Sequence, residues 1–481
     1  MDRNIIVIGT GRVMQIVLSL VSVRLFTMLL SPSQVGNLFL INSIIAFFGL
    51  VLINPVGMYL NRRLHHWFSR GRMPDVFFVF NLYLMGVSLV SLPIVLFLTK
   101  VLHVGSGLNV MVLMTFVMMN IYVSSWNQTI IPALNMLQHR KSFVAFSLLT
   151  TIIGLACSVI FVSLIERGAL WWLLGQVSAQ SVVTIAAFVY FHKITRAKIS
   201  RGIARRNYSP GNIKYAFNFV LPLAVTTLFW WLQNQSYRMI VEHIVGLEYL
   251  AMIGLGLSIA ANISAAVESL VQQFYYPIYY GQINTDDKAT RQTAWEKMAG
   301  FTLPIYVSTA IFAALLSPFI VSVLAGPRYQ GVTIYVVIGA LIELFRASSG
   351  LLASVAHAEL KTRYLVKPYF IGALCAVAGV YFGARQLHSQ VFIPLALVLS
   401  GFMVMIVMFF EMNRVMPIQF NWPALARSFL MSLPLVAVLA AYHLSQSLVV
   451  SVAVCAVSGI YFIGSQYLML KGSFGGGKAH G

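Results

Sequence analysis

"RLFTMLLSPSQVGNLFLINSI", residues 24–44, runs from the end of one apolar helix through a short Ser-Pro turn into another, with Arg24 as its one charge. A bilayer core of about 30 Å needs about 20 apolar residues per helix. The runs on either side of this turn, near residues 5–30 and 36–60, both exceed that length. Working outward with the same ruler gives about fourteen segments. The others lie near residues 76–101, 108–134, 143–165, 169–191, 216–238, 249–273, 299–325, 331–356, 368–384, 391–411, 428–444 and 448–470. The expected fold class is an all-α polytopic membrane protein.

Composition agrees with that reading. The 481 residues are 59% hydrophobic and 9% charged, so they cannot assemble a water-facing surface. A formal charge of +20 invites nucleic acid. The Lys and Arg, however, fall in short gaps between apolar runs rather than on one solvated face, so no nucleic-acid partner is expected. With the N-terminus placed in the cytoplasm, about 24 of the 32 Lys and Arg fall in internal gaps and about five in external ones. Both termini are therefore expected on the cytoplasmic side. The apolar stretch at residues 4–30 lacks a small-residue cleavage site and is expected to stay as the first span. Cys157, Cys375 and Cys455 lie in apolar runs and suggest no disulfide framework. His65 and His66 lack a second ligand pair at metal spacing, and no Walker-type lysine motif occurs, so no metal or cofactor is expected.

Sliding the chain over itself by 214 residues lays Arg24 on Arg238 and Asn54 on Glu268, and farther along the offset becomes 221. Six spans separate the copies, so both halves enter the membrane in the same direction. The expected domains are a six-helix lobe at 1–191, a basic cytoplasmic linker at 192–214, a second six-helix lobe at 215–411, an accessory hairpin at 412–470 and a flexible tail at 471–481. The linker reads either as a site for anionic phospholipids or as an ordinary orientation signal.

Charges inside spans are costly, about 2.5–3.5 kcal/mol each, and mark cavities or partners. Arg24 is roughly 9 Å from the outer end of its helix. It either snorkels to the interface or, with Arg238 at the matching place, forms a positive collar around a central cavity. Arg346 lies deep in the tenth span, with Glu343 three residues earlier on the same face, which reads as an ion pair or as an anion contact with its counter-ion. Glu268 has no charged neighbour within one turn, so it reads as a proton-coupling group or as a carboxylate hydrogen-bonded to Gln272. Asn54, Asn127, Gln128 and Asn234 are amides in or near spans, suited either to interhelical hydrogen bonds or to sugar hydroxyls.

The opening stretch, with its arginine before an L-S-P-x-x-x-G turn, resembles the polysaccharide transporter, or oligosaccharide flippase, family of the multidrug/oligosaccharidyl-lipid/polysaccharide exporter superfamily. "VLAGPRYQGVTIYVVIGALIEL" (323–344) and the turn "QHRKSF" (138–143) carry the same resemblance, which covers most of residues 1–411. It implies a transporter, not an enzyme, moving a polyprenyl-diphosphate-linked oligosaccharide across a bacterial inner membrane by alternating access for O-antigen or exopolysaccharide assembly. It further implies a polysaccharide polymerase and a chain-length regulator as partners. On that reading Arg24, Arg238 and Arg346 contact the diphosphate, Asn54, Asn127, Gln128 and Asn234 line the sugar path, and Glu268 and Glu343 couple an ion gradient. The rivals are a multidrug cation antiporter, a peptidoglycan-precursor flippase and, with external gaps of only about ten residues against it, a membrane polymerase or ligase.

Overall fold

Without water in the hydrocarbon, backbone groups must be satisfied within each segment, and among the described residues every regular element in the computed structural model is helical. The structure describes residues 3–70, 73–105, 107–195, 210–283, 287–359, 361–385, 391–445 and 447–475. Most of the basic segment read as a linker, and residues 476–481 of the tail, lie outside the described residues.

Eight long helices and one short one fill the described residues of the first part of the chain. They are α1 (Arg3–Leu29), α2 (Pro32–Phe47), α3 (Asn54–Ser69), α4 (Met73–Lys100), α5 (Val110–Met136), α6 (Arg140–Leu164), α7 (Ala169–Thr195), α8 (Pro210–Asn234) and the eight-residue α9 (Tyr237–Ile244), with α2 and α3 joined end to end through a π-helical turn, Phe48–Ile53. There follow α10 (Leu247–Gln282), α11 (Lys288–Leu315), α12 (Ser317–Leu324), α13 (Thr333–Ala358), α14 (Val366–Arg385), α15 (Phe392–Val415), α16 (Trp422–Ser432, continued as a 3-10 helix to Leu444) and α17 (Leu448–Gly475). Among the described residues, 13 helical stretches are long and apolar enough to cross a membrane. With α8, a further helix of 25 residues, they correspond to the fourteen apolar runs. Large side chains such as Ile460, Val189 and Leu399 stand exposed on helix faces. In a multi-pass membrane protein those faces meet lipid.

Contacts divide the chain into two compact units, Met1–Ala251 and Met252–Gly481. In the first, α5 runs between α4 and α7, and Trp126 is wedged among Phe77, Phe80 and Phe188 at centroid distances of 5.7, 5.5 and 4.8 Å. The α6–α7 pair closes to backbone contact because Gly175 has no side chain: a Cβ there would lie 2.4 Å from the Cα of Ser158. Small residues are what let membrane helices approach this far. Gly175→Ala is therefore expected to destabilise the unit by about 1–3 kcal/mol. Gly459→Ala, where a Cβ meets nothing within 4 Å, should leave the thermal midpoint in detergent unchanged. Equal midpoints for the two variants would contradict the close approach.

In the second unit the fully buried Trp295 of α11 donates its ring N–H to Leu351 O and Ser354 Oγ at 3.3 and 3.0 Å, locking α11 to α13. At one end of the same bundle Arg291 grips Glu359, with its shorter contact at 2.7 Å, and the buried Glu411 accepts from Lys367 and Arg414 at 2.7 and 3.3 Å.

Under the 214-residue shift the structure departs from the repeat in two places. The shift carries Pro32 to Gly246, one residue before α10 begins, so the turns match, but the π-helical Phe48–Ile53 falls on residues 262–267 of the unbroken α10. The preceding helices do not match. The expectation that Arg238 ends the seventh span, as Arg24 nears the end of the first, is corrected: α1 continues unbroken to Leu29, whereas α8 stops at Asn234 and Arg238 belongs to α9. The cause is local polar competition with the helical ladder, for Asn234 Nδ2 donates to Trp230 O and the Ser236 hydroxyl donates to Leu232 O.

Candidate functional site

Five residues of α5, Ile121, Ser124, Ser125, Gln128 and Thr129, recur at three- and four-residue spacing and so share one helix face. Opposite them lies the α2–α3 segment around its π-turn, with Gly49, Asn54 and Gly57, and Phe80 of α4 closes the side. The space enclosed is about 440 Å3, and among the described residues no charged one lines it. Two of the amides expected on the sugar path, Asn54 and Gln128, therefore face one cavity across it. Wide π-turns recur at functional sites, and here the turn is pinned from outside by the Tyr83 hydroxyl, which donates to Leu52 O at 2.7 Å.

The other two amides are corrected. Asn127 is one residue from Gln128 but about 100° round the helix. It points into α6 and α7, donating to Thr184 Oγ1 at 3.0 Å and Thr150 Oγ1 at 3.5 Å. Its role is to tie three helices together. Asn234 spends its Nδ2 on Trp230 O at 2.9 Å, at the end of α8.

The arginines separate in the same way. Arg24 is half-buried in α1. Arg238 lies against α2, donating from Nη1 to Phe39 O and from Nε to the Tyr237 hydroxyl, both at 3.3 Å, with its guanidinium 5.4 and 5.6 Å from those two rings. Those contacts are long, and they fix the plane of the guanidinium without neutralising it. Close in sequence, Glu242 accepts from the Gly105 N–H at 3.1 Å through one oxygen while the other is buried without a partner. Burial pushes the Glu242 carboxyl up, beyond what the Gly105 bond and the neighbouring His243 do to hold it down. A raised carboxyl lowers stability once ionised, so the penalty appears as pH rises above the ordinary carboxylate range. Glu242→Gln should therefore stabilise at neutral pH, with the gain shrinking as pH falls through that range. A gain independent of pH would exclude the charge as its source.

In the second unit the structure joins three of the predicted residues. Arg346 of α13 donates from Nε to Glu343, one turn before it, at 2.6 Å, and from Nη2 to Glu268 of α10 at 2.7 Å. The Gln272 amide donates to the other oxygen of Glu268 at 3.4 Å. All three charged side chains are largely buried, at 26, 17 and 13% exposure for Arg346, Glu268 and Glu343. The expectation of Arg346 as an open anion contact is corrected: two carboxylates already share its guanidinium, and with both ionised the cluster carries one negative charge in excess. Such a cluster can exchange a proton or a cation; to clamp a phosphate, Arg346 must first be released.

A larger cavity, about 610 Å3, lies among α4, α5 and α7 and is walled by Phe77, Tyr122, Trp126 and Phe188. Its polar groups are mostly spent. Asn81 Oδ1 accepts from Tyr122 and Trp126 at 2.7 and 3.1 Å, and Thr184 holds Asn127. The polar stretch of α5, "SSWNQT" (124–129), yields its amides to a reading of the sequence, which misses Ser124, Ser125 and Thr129; their three- and four-residue spacing, shared with Ile121 and Gln128, is the available signal.

No protein-family model matches the chain, and no curated protein matches it in sequence. Solved structures do match. The lipid II flippase MurJ in an inward closed conformation is similar at a TM-score of 0.63 and 12% identity, covering 98% of both chains. A multidrug resistance MATE family transporter of the MOP superfamily, inward-facing, gives 0.58 and 14%, covering 85% of this chain and 98% of its own. A MOP superfamily transporter from Pyrococcus furiosus gives 0.51 and 12%, covering 85% and 94%. The chain has the fold of MOP superfamily transporters, and its likeness to MurJ extends along nearly its full length.

Proposed function

We propose that this protein is a flippase that moves a polyprenyl-diphosphate-linked oligosaccharide across the bacterial inner membrane, with its termini in the cytoplasm. The observation that carries the reading is the first-unit cavity, where Asn54, Ser124, Ser125, Gln128 and Thr129 set uncharged polar groups into an otherwise apolar wall, in a chain with the fold of membrane transporters. Neutral hydrogen-bonding groups in a membrane-embedded cavity suit sugar, the uncharged part of the headgroup that hydrocarbon dissolves poorly. Arg24 and Arg238 are assigned to the diphosphate, since guanidinium groups grip phosphate oxygens bidentately. Glu268, Glu343 and Arg346 are assigned to coupling: protonation of either carboxylate loosens its hold on Arg346 and gives the second unit two electrostatic states.

The excess negative charge of that cluster is also what a cation antiporter needs, so the two activities must be separated by experiment. Depletion of the protein in its host should cause lipid-linked oligosaccharide to accumulate in the cytoplasmic leaflet, with loss of surface polymer and unchanged efflux of cationic dyes. Loss of dye efflux with normal polymer would overturn the flippase reading in favour of the antiporter. Within the flippase, Glu268→Gln should abolish dependence of polymer export on the proton gradient; unchanged dependence would remove Glu268 from the coupling machinery.

A further inference from the structure

The hydroxyl hydrogens of the first-unit cavity are already committed. Ser124 Oγ donates to Asn120 O at 2.7 Å, Ser125 Oγ donates to Ile121 O, and Thr129 Oγ1 donates to Ser125 O at 2.7 Å, each to a carbonyl one turn back. A hydroxyl has one hydrogen and two lone pairs. What these three side chains present to a ligand is therefore acceptor capacity alone. The carbonyl oxygens of Asn54 and Gln128 add two more acceptors, and only the two amide NH2 groups donate. Among the described residues, neither a lysine nor an arginine lines the space.

We infer that this cavity takes an uncharged, hydroxyl-rich sugar residue, bound through the sugar's own O–H hydrogens, and rejects sugars that bear a carboxylate. The inference rests on the flippase reading and specifies its substrate class. A hexose hydroxyl donates one hydrogen and matches the acceptor wall. A hexuronate replaces one such donor by two acceptor oxygens and a charge. In this cavity it meets oxygen lone pairs and no counter-ion, so its desolvation goes uncompensated. The same logic keeps the diphosphate out, which places the phosphate contacts elsewhere on the molecule. Cavities built for one hydrogen-bonding pattern discriminate by leaving the mismatched groups unpaired.

The test uses the full chain in proteoliposomes and two polyprenyl diphosphates whose oligosaccharides differ only in one sugar, a neutral hexose against the corresponding hexuronate. The hexose lipid should cross about 10-fold to 100-fold faster. Gln128→Lys and Asn54→Lys, at exposed positions on opposite walls, each supply the missing cation and should narrow or invert the ratio. Equal rates for the two lipids, or an unaltered ratio in both lysine variants, would overturn the inference while leaving the flippase reading in place. The same lipids are added to purified protein in detergent, with thermal stabilisation as the readout. Selective stabilisation by the hexose lipid without transport of either would uphold the cavity assignment and remove the flippase reading. Absence of both transport and selective stabilisation would remove the two together.

Discussion

Arg346→Ala is expected to lower the stability of the protein by about 3–5 kcal/mol, because it leaves two carboxylates facing each other in a largely dehydrated site. The effect is one of stranding rather than of a lost attraction. The guanidinium bridges Glu343 on its own helix and Glu268 on α10, and among the described residues no other cation is hydrogen-bonded to either. A second variant separates the two explanations. Combining Arg346→Met with Glu268→Gln and Glu343→Gln removes every charge at once, and should recover most of the lost stability, since replacing a buried ion cluster by neutral groups of similar volume is close to neutral. Thermal unfolding in detergent, followed at neutral pH, reads both. A triple variant as unstable as Arg346→Ala would show that packing of the arginine stem, and not charge, holds α10 to α13. If the proposed coupling role holds, transport by the triple variant in proteoliposomes should also be independent of the proton gradient.

The second large effect is expected at Arg238. On the proposed function, Arg238→Ala should cut transport of lipid-linked oligosaccharide about 10-fold to 100-fold, the cost of losing the proposed charge-assisted hydrogen bonds to a phosphate. Its structural cost should be smaller, about 1–2 kcal/mol, from a long bond to Phe39 O and two ring contacts. Arg238→Lys keeps the charge and loses the planar fork, so transport should fall to an intermediate level. Full transport by Arg238→Ala in proteoliposomes would remove the residue from the substrate path.

Much of the fold was legible because bilayer thickness dictates run length: the turn at Ser31 and Pro32, and the helices on either side of it, follow from counting apolar residues. The break after Asn234 was not legible in that count. Residues 233–238, "QNQSYR", are polar, and a ruler of about 20 residues laid from 216 to 238 runs across them; the helix stops there, where Asn234 and Ser236 donate to carbonyls one turn back. Glu343 and Arg346 were paired correctly from three-residue spacing, since helix geometry alone brings them together. Glu268 joins them from 78 residues away, across a helix contact that no local pattern specifies. The adjacent amides Asn127 and Gln128 show the same limit in miniature: identical chemistry one step apart, with one locking helices and the other facing a cavity, decided by which side of α5 the neighbours occupy.

The account turns on what crosses the membrane. The most direct measurement is leaflet-to-leaflet movement of a fluorescent polyprenyl-diphosphate oligosaccharide in proteoliposomes holding only this protein, run beside a cationic dye of similar size. The account predicts that the oligosaccharide lipid crosses at a rate proportional to protein content while the dye stays put. Movement of the dye with none of the lipid would contradict it.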